Sequence, residues 1–152
     1  MSTSPFVPPD FVVPESLSGT GFRLEPLNGR HNEADHAAWT TSIEHIRATP
    51  GFQDRDWPPP AGMSLRENLR DLDQHAEDFA RRTGFTYSVL DDGGEVIGCV
   101  YIYPSRTDSG VAQVRSWVRA DRAELDRPVH DAVAAWLSSA WPFEQFDYAP
   151  RV

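Results

Sequence analysis

At 152 residues the chain has the length of one domain with a real hydrophobic core. Apolar residues make up 39% of it and five Trp are present, which excludes an intrinsically disordered chain. The net charge is −9 and all 14 basic residues are Arg. That acidic balance argues against general nucleic-acid binding, which needs a basic surface to neutralise phosphates. It is compatible with a cationic small substrate. The absence of Lys suits a GC-rich coding sequence.

A single cysteine, Cys99, excludes an internal disulfide, and its place in the most apolar stretch predicts a buried, inert thiol. No CxxC, HExxH or other metal-ligand spacing is present, so no metal is expected. No apolar run approaches the ~20 residues of a membrane helix. The first residues lack the basic and apolar regions of a signal peptide, so a cytoplasmic protein without membrane partners is expected.

Residues 1–20 carry Pro5, Pro8, Pro9 and Pro14 and cannot form a helix of any length. Phe6, Val7, Phe11, Val12 and Val13 are too apolar for a pure linker, so the segment reads either as an extended arm lying on the domain or as a mobile tail. Gly21 to Leu27 alternates as a first strand, placed near an edge by Pro26, which cannot donate. Asn28-Gly29 turns the chain, and Asn32 is placed to cap a helix reaching about Ala48, anchored by Trp39, Ile43 and Ile46. His36 and His45 on that helix read as surface or rim residues. Thr49 to Gly62 is a long irregular connection containing Asp54-Arg55-Asp56-Trp57. Trp57 either closes over a ligand or plugs the helix pair. Ser64 and Glu67 form a capping box for a second helix to about Arg82. Its predicted buried stripe is Leu65, Leu69, Leu72, Ala76 and Phe79, with Gly84 as the residue that ends it.

Phe85 to Leu90 alternates as a half-buried strand, and Asp91-Asp92-Gly93-Gly94 supplies a turn. Val96 to Tyr103 is apolar on both faces and reads as a central strand, ended by Pro104. A third strand of this core, about Val111 to Arg119, returns antiparallel. Asp126 is placed to cap a helix, with Pro128 in its first turn. Val129, Ala132, Val133, Trp136, Leu137 and Ala140 form its apolar stripe. Trp141-Pro142-Phe143 ends it, and Gln145 to Ala149 reads as a short last strand. A helix-bearing connection of about 25 residues suits a crossover to a parallel strand.

The order strand, helix, helix, strand, strand, strand, helix, strand, together with the stretch Val96-Ile97-Gly98-Cys99-Val100-Tyr101-Ile102-Tyr103-Pro104, resembles the GNAT family of N-acetyltransferases over about Gly21 to Ala149. The resemblance implies an α+β (α/β) fold: a mixed, mostly antiparallel sheet of about five strands with three helices. Beside the Pro-rich arm read over 1–20, it implies a single GNAT-like domain over 21–152. In that family the strand matching Val111–Arg119 offers its backbone to the pantetheine arm of acetyl-CoA, and the following loop cradles the pyrophosphate at a helix N-terminus. Carried over residue by residue, the cofactor contacts are Trp117, Val118, Arg119, Arg122, Arg127 and Val129. Trp57 and Tyr101 are the expected substrate contacts, and a small-molecule amine or protein amine is the implied acceptor.

The loop departs from the family's Arg/Gln-x-x-Gly-x-Gly/Ala pattern. Val118 to His130 contains no Gly, and Asp121, Glu124 and Asp126 put negative charge where a phosphate would sit. Arg122 and Arg127 either compensate by binding phosphate or simply neutralise those acids. The strand lacks the Glu that commonly serves as base, its polar residues being Gln113, Arg115 and Ser116. With the sequence ending at Val152, the family's later helix with its Tyr acid is expected to be missing. No residue is assigned to either chemical step. Two functions follow: acetyl transfer from acetyl-CoA to an amine, or a catalytically inactive binding or interaction module of the same fold. An uncovered edge at the last strand predicts either a homodimer or an arm folded over the sheet.

Overall fold

A computed structural model describes residues 5–53 and 55–151, so Asp54 lies outside the described residues. One sheet runs through the molecule in the order β1-β2-β3-β4-β5-β6. Its strands are β1 (Leu17–Gly19), β2 (Phe22–Pro26), β3 (Phe85–Asp91), β4 (Val96–Pro104), β5 (Val111–Val118) and β6 (Gln145–Tyr148). Every neighbouring pair is antiparallel except β5 and β6, which are parallel. The helices are α1 (Asn32–Thr40), α2 (Ile43–Arg47), α3 (Leu65–Arg81) and α4 (Asp126–Ala140). The class is the expected mixed α+β, with six strands and four α-helices where about five and three were expected.

The extra strand is β1. It pairs only with Phe22 to Leu24 of β2, leaving Pro26 beyond the ladder on that side, where its missing N–H costs nothing. The extra helix comes from a break at Thr41-Ser42 in the expected Asn32–Ala48 helix. The hydroxyl of Thr41 donates to Ala37 O at 2.8 Å, and Ser42 Oγ accepts from Ala120 N at 2.8 Å, so both residues serve a turn. Asn28, not Asn32, makes the capping box, over a 3-10 turn at Gly29–His31. Asn32 instead donates from its side chain to Leu65 O. The expected cap at Asp126 is also displaced: Leu125 precedes α4, and Asp126 is its first residue.

The two faces of the sheet carry two cores. On one, Phe85, Tyr87, Val89, Val100, Ile102, Val114 and Val118 pack against Val129, Val133, Trp136 and Leu137 of α4. Phe6, Val7, Phe11 and Val13 join this cluster from the N-terminal segment. Phe6 stacks on Phe143 at 4.9 Å, and Arg82 donates to Pro8 O and Phe11 O at 2.7 and 2.8 Å. On the other face, Leu27, Trp39, Ile46, Phe52, Leu72, Cys99 and Trp117 form the second cluster.

The phase of α3 differs from expectation. Leu65 and Leu69 are exposed, whereas Asn68 is 3% exposed and lies on the buried face with Leu72. That face runs Asn68, Leu72, His75, Phe79, so two of its four members are polar and invisible to an apolar stripe. The αL residue that ends α3 is Arg82 at φ 63°, not Gly84. Gly84 is needed for another reason: a Cβ there would collide with the Tyr103 ring. Gly98 in β4 faces a similar constraint, since a Cβ would run into the backbone carbonyl of Trp117 on β5.

Trp136 is 8% exposed and meets Tyr87 edge-on at 5.2 Å and Trp141 at 5.3 Å. Trp136→Ala is expected to cost about 3–5 kcal/mol in a denaturant titration, through lost burial and the cavity left behind; a loss below ~1 kcal/mol would mean that α4 does not anchor on the sheet here. Gly98→Ala is expected to cost about 1–3 kcal/mol, because the obstacle is backbone and cannot rotate away. A neutral result by the same titration would show that the β4–β5 ladder opens freely at this point.

Candidate functional site

The α1–α3 face of the sheet holds a cavity of about 720 Å³. Its floor is aromatic. Tyr101 projects from β4 on the same side as Cys99, and accepts a hydrogen bond on its hydroxyl from Trp117 Nε1 at 3.0 Å. Trp57 lies at ring distances of 5.5 Å from Trp39, 6.0 Å from Phe52 and 6.1 Å from Trp117. Trp57 packs against the second core cluster, as the plug reading expected, and also lines the cavity. The loop bearing it is held by Arg47 Nη1, which donates to Pro58 O at 2.8 Å.

The chemistry-bearing groups come from helices. Asp35 on α1 is 4% exposed and accepts from Asn68 Nδ2 at 3.1 Å. Burial pushes its carboxyl up to about 6, and the hydrogen bond from Asn68 only partly offsets this. His75 on α3 contacts the Tyr103 hydroxyl through Nδ1 at 2.7 Å, and Tyr103 in turn donates to Asp78 at 2.8 Å. Burial lowers the pKa of His75, favouring the neutral imidazole. Neither Asp35 nor His75 stands out in the sequence, because each sits singly in an amphipathic helix. Cys99, directly beneath, is fully buried and its thiol pKa is raised well above normal by burial, as suits an inert residue.

The opposite face carries the groove where cofactor contacts were expected. Strand β6 pairs with β5 only from Val111 to Val114. Beyond that point Arg151 fills the gap. Its Nη2 donates to Ser116 O at 2.8 Å, its Nη1 to Ala149 O at 2.8 Å and Pro50 O at 3.2 Å, and its Nε to Asp126 at 2.7 Å. This side chain is only 3% exposed. Tyr148 closes the same gap through a short hydroxyl contact with Ser116 and meets the His130 ring at 4.2 Å, tilted by 44°.

The expected cofactor residues are divided between core and surface. Val118 and Val129 are buried in the α4 core, and Trp117 turns to the cavity side. Arg119 is engaged by Glu95 at 2.7 Å and Asp121 at 2.8 Å, and the guanidinium holds Asp121 below its ordinary carboxylate range. Arg122 pairs with Asp91 at 2.9 Å, and Arg127 approaches Asp131 at 3.7 Å. Among the described residues no group of three or more His, Cys, Asp or Glu could hold a metal ion, and no helix is long and apolar enough to cross a membrane.

Because the folded-state pKa of Asp35 is raised from 3.8 to about 6, the folded protein binds more protons than the unfolded chain in that window. Stability therefore falls as pH rises from about 4 to 6, by on the order of 2–3 kcal/mol from this group. Asp35→Asn is expected to remove that slope and to raise stability at pH 7. Thermal melts at pH 4, 5, 6 and 7 check this; an unchanged slope in the variant would show that Asp35 is ionised at no cost.

No protein-family model matches the chain, and no curated protein matches its sequence. Solved structures do match. One is the ribosomal-protein-S5-alanine acetyltransferase from Vibrio fischeri, at TM-score 0.63 and 15% identity, covering 82% of this chain and 68% of that one. Another is RimL, the ribosomal L7/L12 α-N-protein acetyltransferase in complex with coenzyme A, at TM-score 0.63 and 15% identity, covering 79% and 63%. A third is a GCN5-related N-acetyltransferase from Brucella melitensis, at TM-score 0.64 and 20% identity, covering 86% and 57%. The chain thus spans about two thirds or less of the length of these proteins. It has the fold of the GNAT acetyltransferases.

Proposed function

We propose that this chain is an acetyltransferase-like protein that binds a small ligand in the cavity over β4 and β5, and that it does so as a binding module rather than as a transferase. One observation carries this reading: the guanidinium of Arg151 occupies the gap between β5 and β6 and takes the Ser116 carbonyl. In the fold's cofactor-bound members, which include RimL with coenzyme A and MccE with acetyl-CoA and AMP, the fold accommodates that group. Here the residues do not fit it. The strand backbone beside β6 is bonded, and the start of α4 faces the carboxylate of Asp126, already paired with Arg151. In the Gly-free turn at Ala120–Leu125, Arg119 is engaged by Asp121 at 2.8 Å and Arg122 lies 3.5 Å from Glu124, so neither guanidinium is free for a pyrophosphate and no glycine lets the backbone cradle one.

A second reading, transfer of an acetyl group to a small-molecule or protein amine, is favoured by His75. A neutral imidazole lining a cavity is a suitable proton acceptor for an amine. That reading requires Arg151 to leave its pocket. Acetyl-CoA decides between the two. A ligand present at a hundredfold excess over its dissociation constant stabilises the fold by about 2.7 kcal/mol. We expect ~1 mM acetyl-CoA to leave the melting temperature of the wild type unchanged. A clear upward shift, with acetylation of an added amine, would establish the transferase instead.

A further inference from the structure

The charges around the cavity are segregated. Asp35 and Asp71 stand on the helical side, and the charged groups that act on Asp35 are His36 and Asp71. Arg55, Arg106 and Arg115 stand on the other, contributed by the loop before α3, the β4–β5 hairpin and β5 itself. Among the described residues none of these three makes a salt bridge. Burial and the repulsion of Arg55 and Arg106 depress the pKa of Arg115, and Asp147 offsets this only weakly. Arg115 is satisfied by a single carbonyl, Gly51 O, at 3.2 Å.

In a chain with 23 acidic and 14 basic residues, three guanidiniums line this one cavity with only Asp147 offsetting their mutual repulsion, and weakly, an arrangement that favours an anionic ligand. Planar guanidiniums match a carboxylate with paired hydrogen bonds. Across from them, Asp35 and Asp71 offer negative charge to a cation. Trp57, Phe52 and Tyr101 line the same cavity, Tyr101 meeting each of the other two edge-on at 6.5 Å, and offer an aromatic lining to an apolar body.

We propose that this cavity binds a zwitterionic aromatic α-amino acid, its carboxylate held by Arg55, Arg106 and Arg115, its ammonium turned to Asp35 and Asp71, and its ring laid on Trp57 and Tyr101. The proposal rests on the cavity being the ligand site, and is independent of whether acetyl-CoA binds.

Calorimetric titration at pH 7.5 with phenylalanine, phenylalaninamide and 3-phenylpropanoate tests it, since the last two each lack one charge. Phenylalanine is expected to bind at least ~10-fold tighter than either analogue, which corresponds to about 1.4 kcal/mol. Arg106→Ala, at an exposed hairpin position that folding does not need, should weaken phenylalanine ~10-fold and leave phenylalaninamide unchanged. Asp71→Asn should weaken phenylalanine and leave 3-phenylpropanoate unchanged. Equal binding of all three ligands, or a uniform loss in Arg106→Ala, would overturn the zwitterion. If only a one-charge analogue binds, and Trp57→Ala abolishes it, the zwitterion fails while the cavity stands as the ligand site. If none binds at ~10 mM, both fail.

Discussion

The side-chain amide of Asn68 is the tie on which the cavity depends. Its oxygen accepts from Trp39 Nε1 at 2.9 Å, while its nitrogen donates to Asn32 at 2.9 Å and Asp35 at 3.1 Å. Three residues of α1 are thereby fixed to one position of α3. Inside a buried site, each such bond is electrostatically stronger than in water, and each would be expensive to leave unmade. The tie holds Trp39 against Trp57, their rings 5.5 Å apart and tilted by 48°, and it sets Asp35 in a place where burial penalises its charge. Aromatic rings of Trp57, Phe52 and Tyr101 line the same cavity as this carboxylate.

The sheet separates this site from the groove beside β6. Residues of β5 alternate between them: Arg115 and Trp117 belong to the cavity face, Ser116 and Val118 to the α4 face. A single strand thus serves two unlike environments through its period of two. The cavity is lined by aromatic and charged side chains. The groove is filled by the protein's own arginine, tied at once to strand, helix and loop.

Much of the fold was legible in the sequence because it rests on apolar periodicity. The central β4 strand, the β3–β4 hairpin, the α4 stripe and the parallel β6 all follow from residues that bury or avoid water. The capping box of Ser64 and Glu67 was legible too, since its chemistry is local. What escaped was set by polar contacts between distant segments. The phase of α3 turned on Asn68 and His75, which look like surface residues until α1 and Tyr103 are placed against them. Strand β1 is three residues long and has no pattern of its own. Trp57 and Tyr101, the expected substrate contacts, both line the cavity, but Asp35, His75 and the three arginines come from separate elements that only the fold assembles. Arg151 gave no sequence signal at all, because an arginine near a strand end is an ordinary solvated residue everywhere except in a gap that matches it.

The dipeptide Pro50-Gly51 is gripped from both faces of the molecule. Arg151, from the groove side, donates to Pro50 O, and Arg115, from the cavity side, donates to Gly51 O. Two adjacent carbonyls are therefore shared property of two separate sites. An occupant that draws Arg115 away from Gly51 removes one of the two clamps on this dipeptide and alters the footing on which Arg151 stands. Were the two sites coupled through this dipeptide, linkage would make the effect reciprocal. Two successive peptide groups are where the cavity and the β5–β6 gap meet.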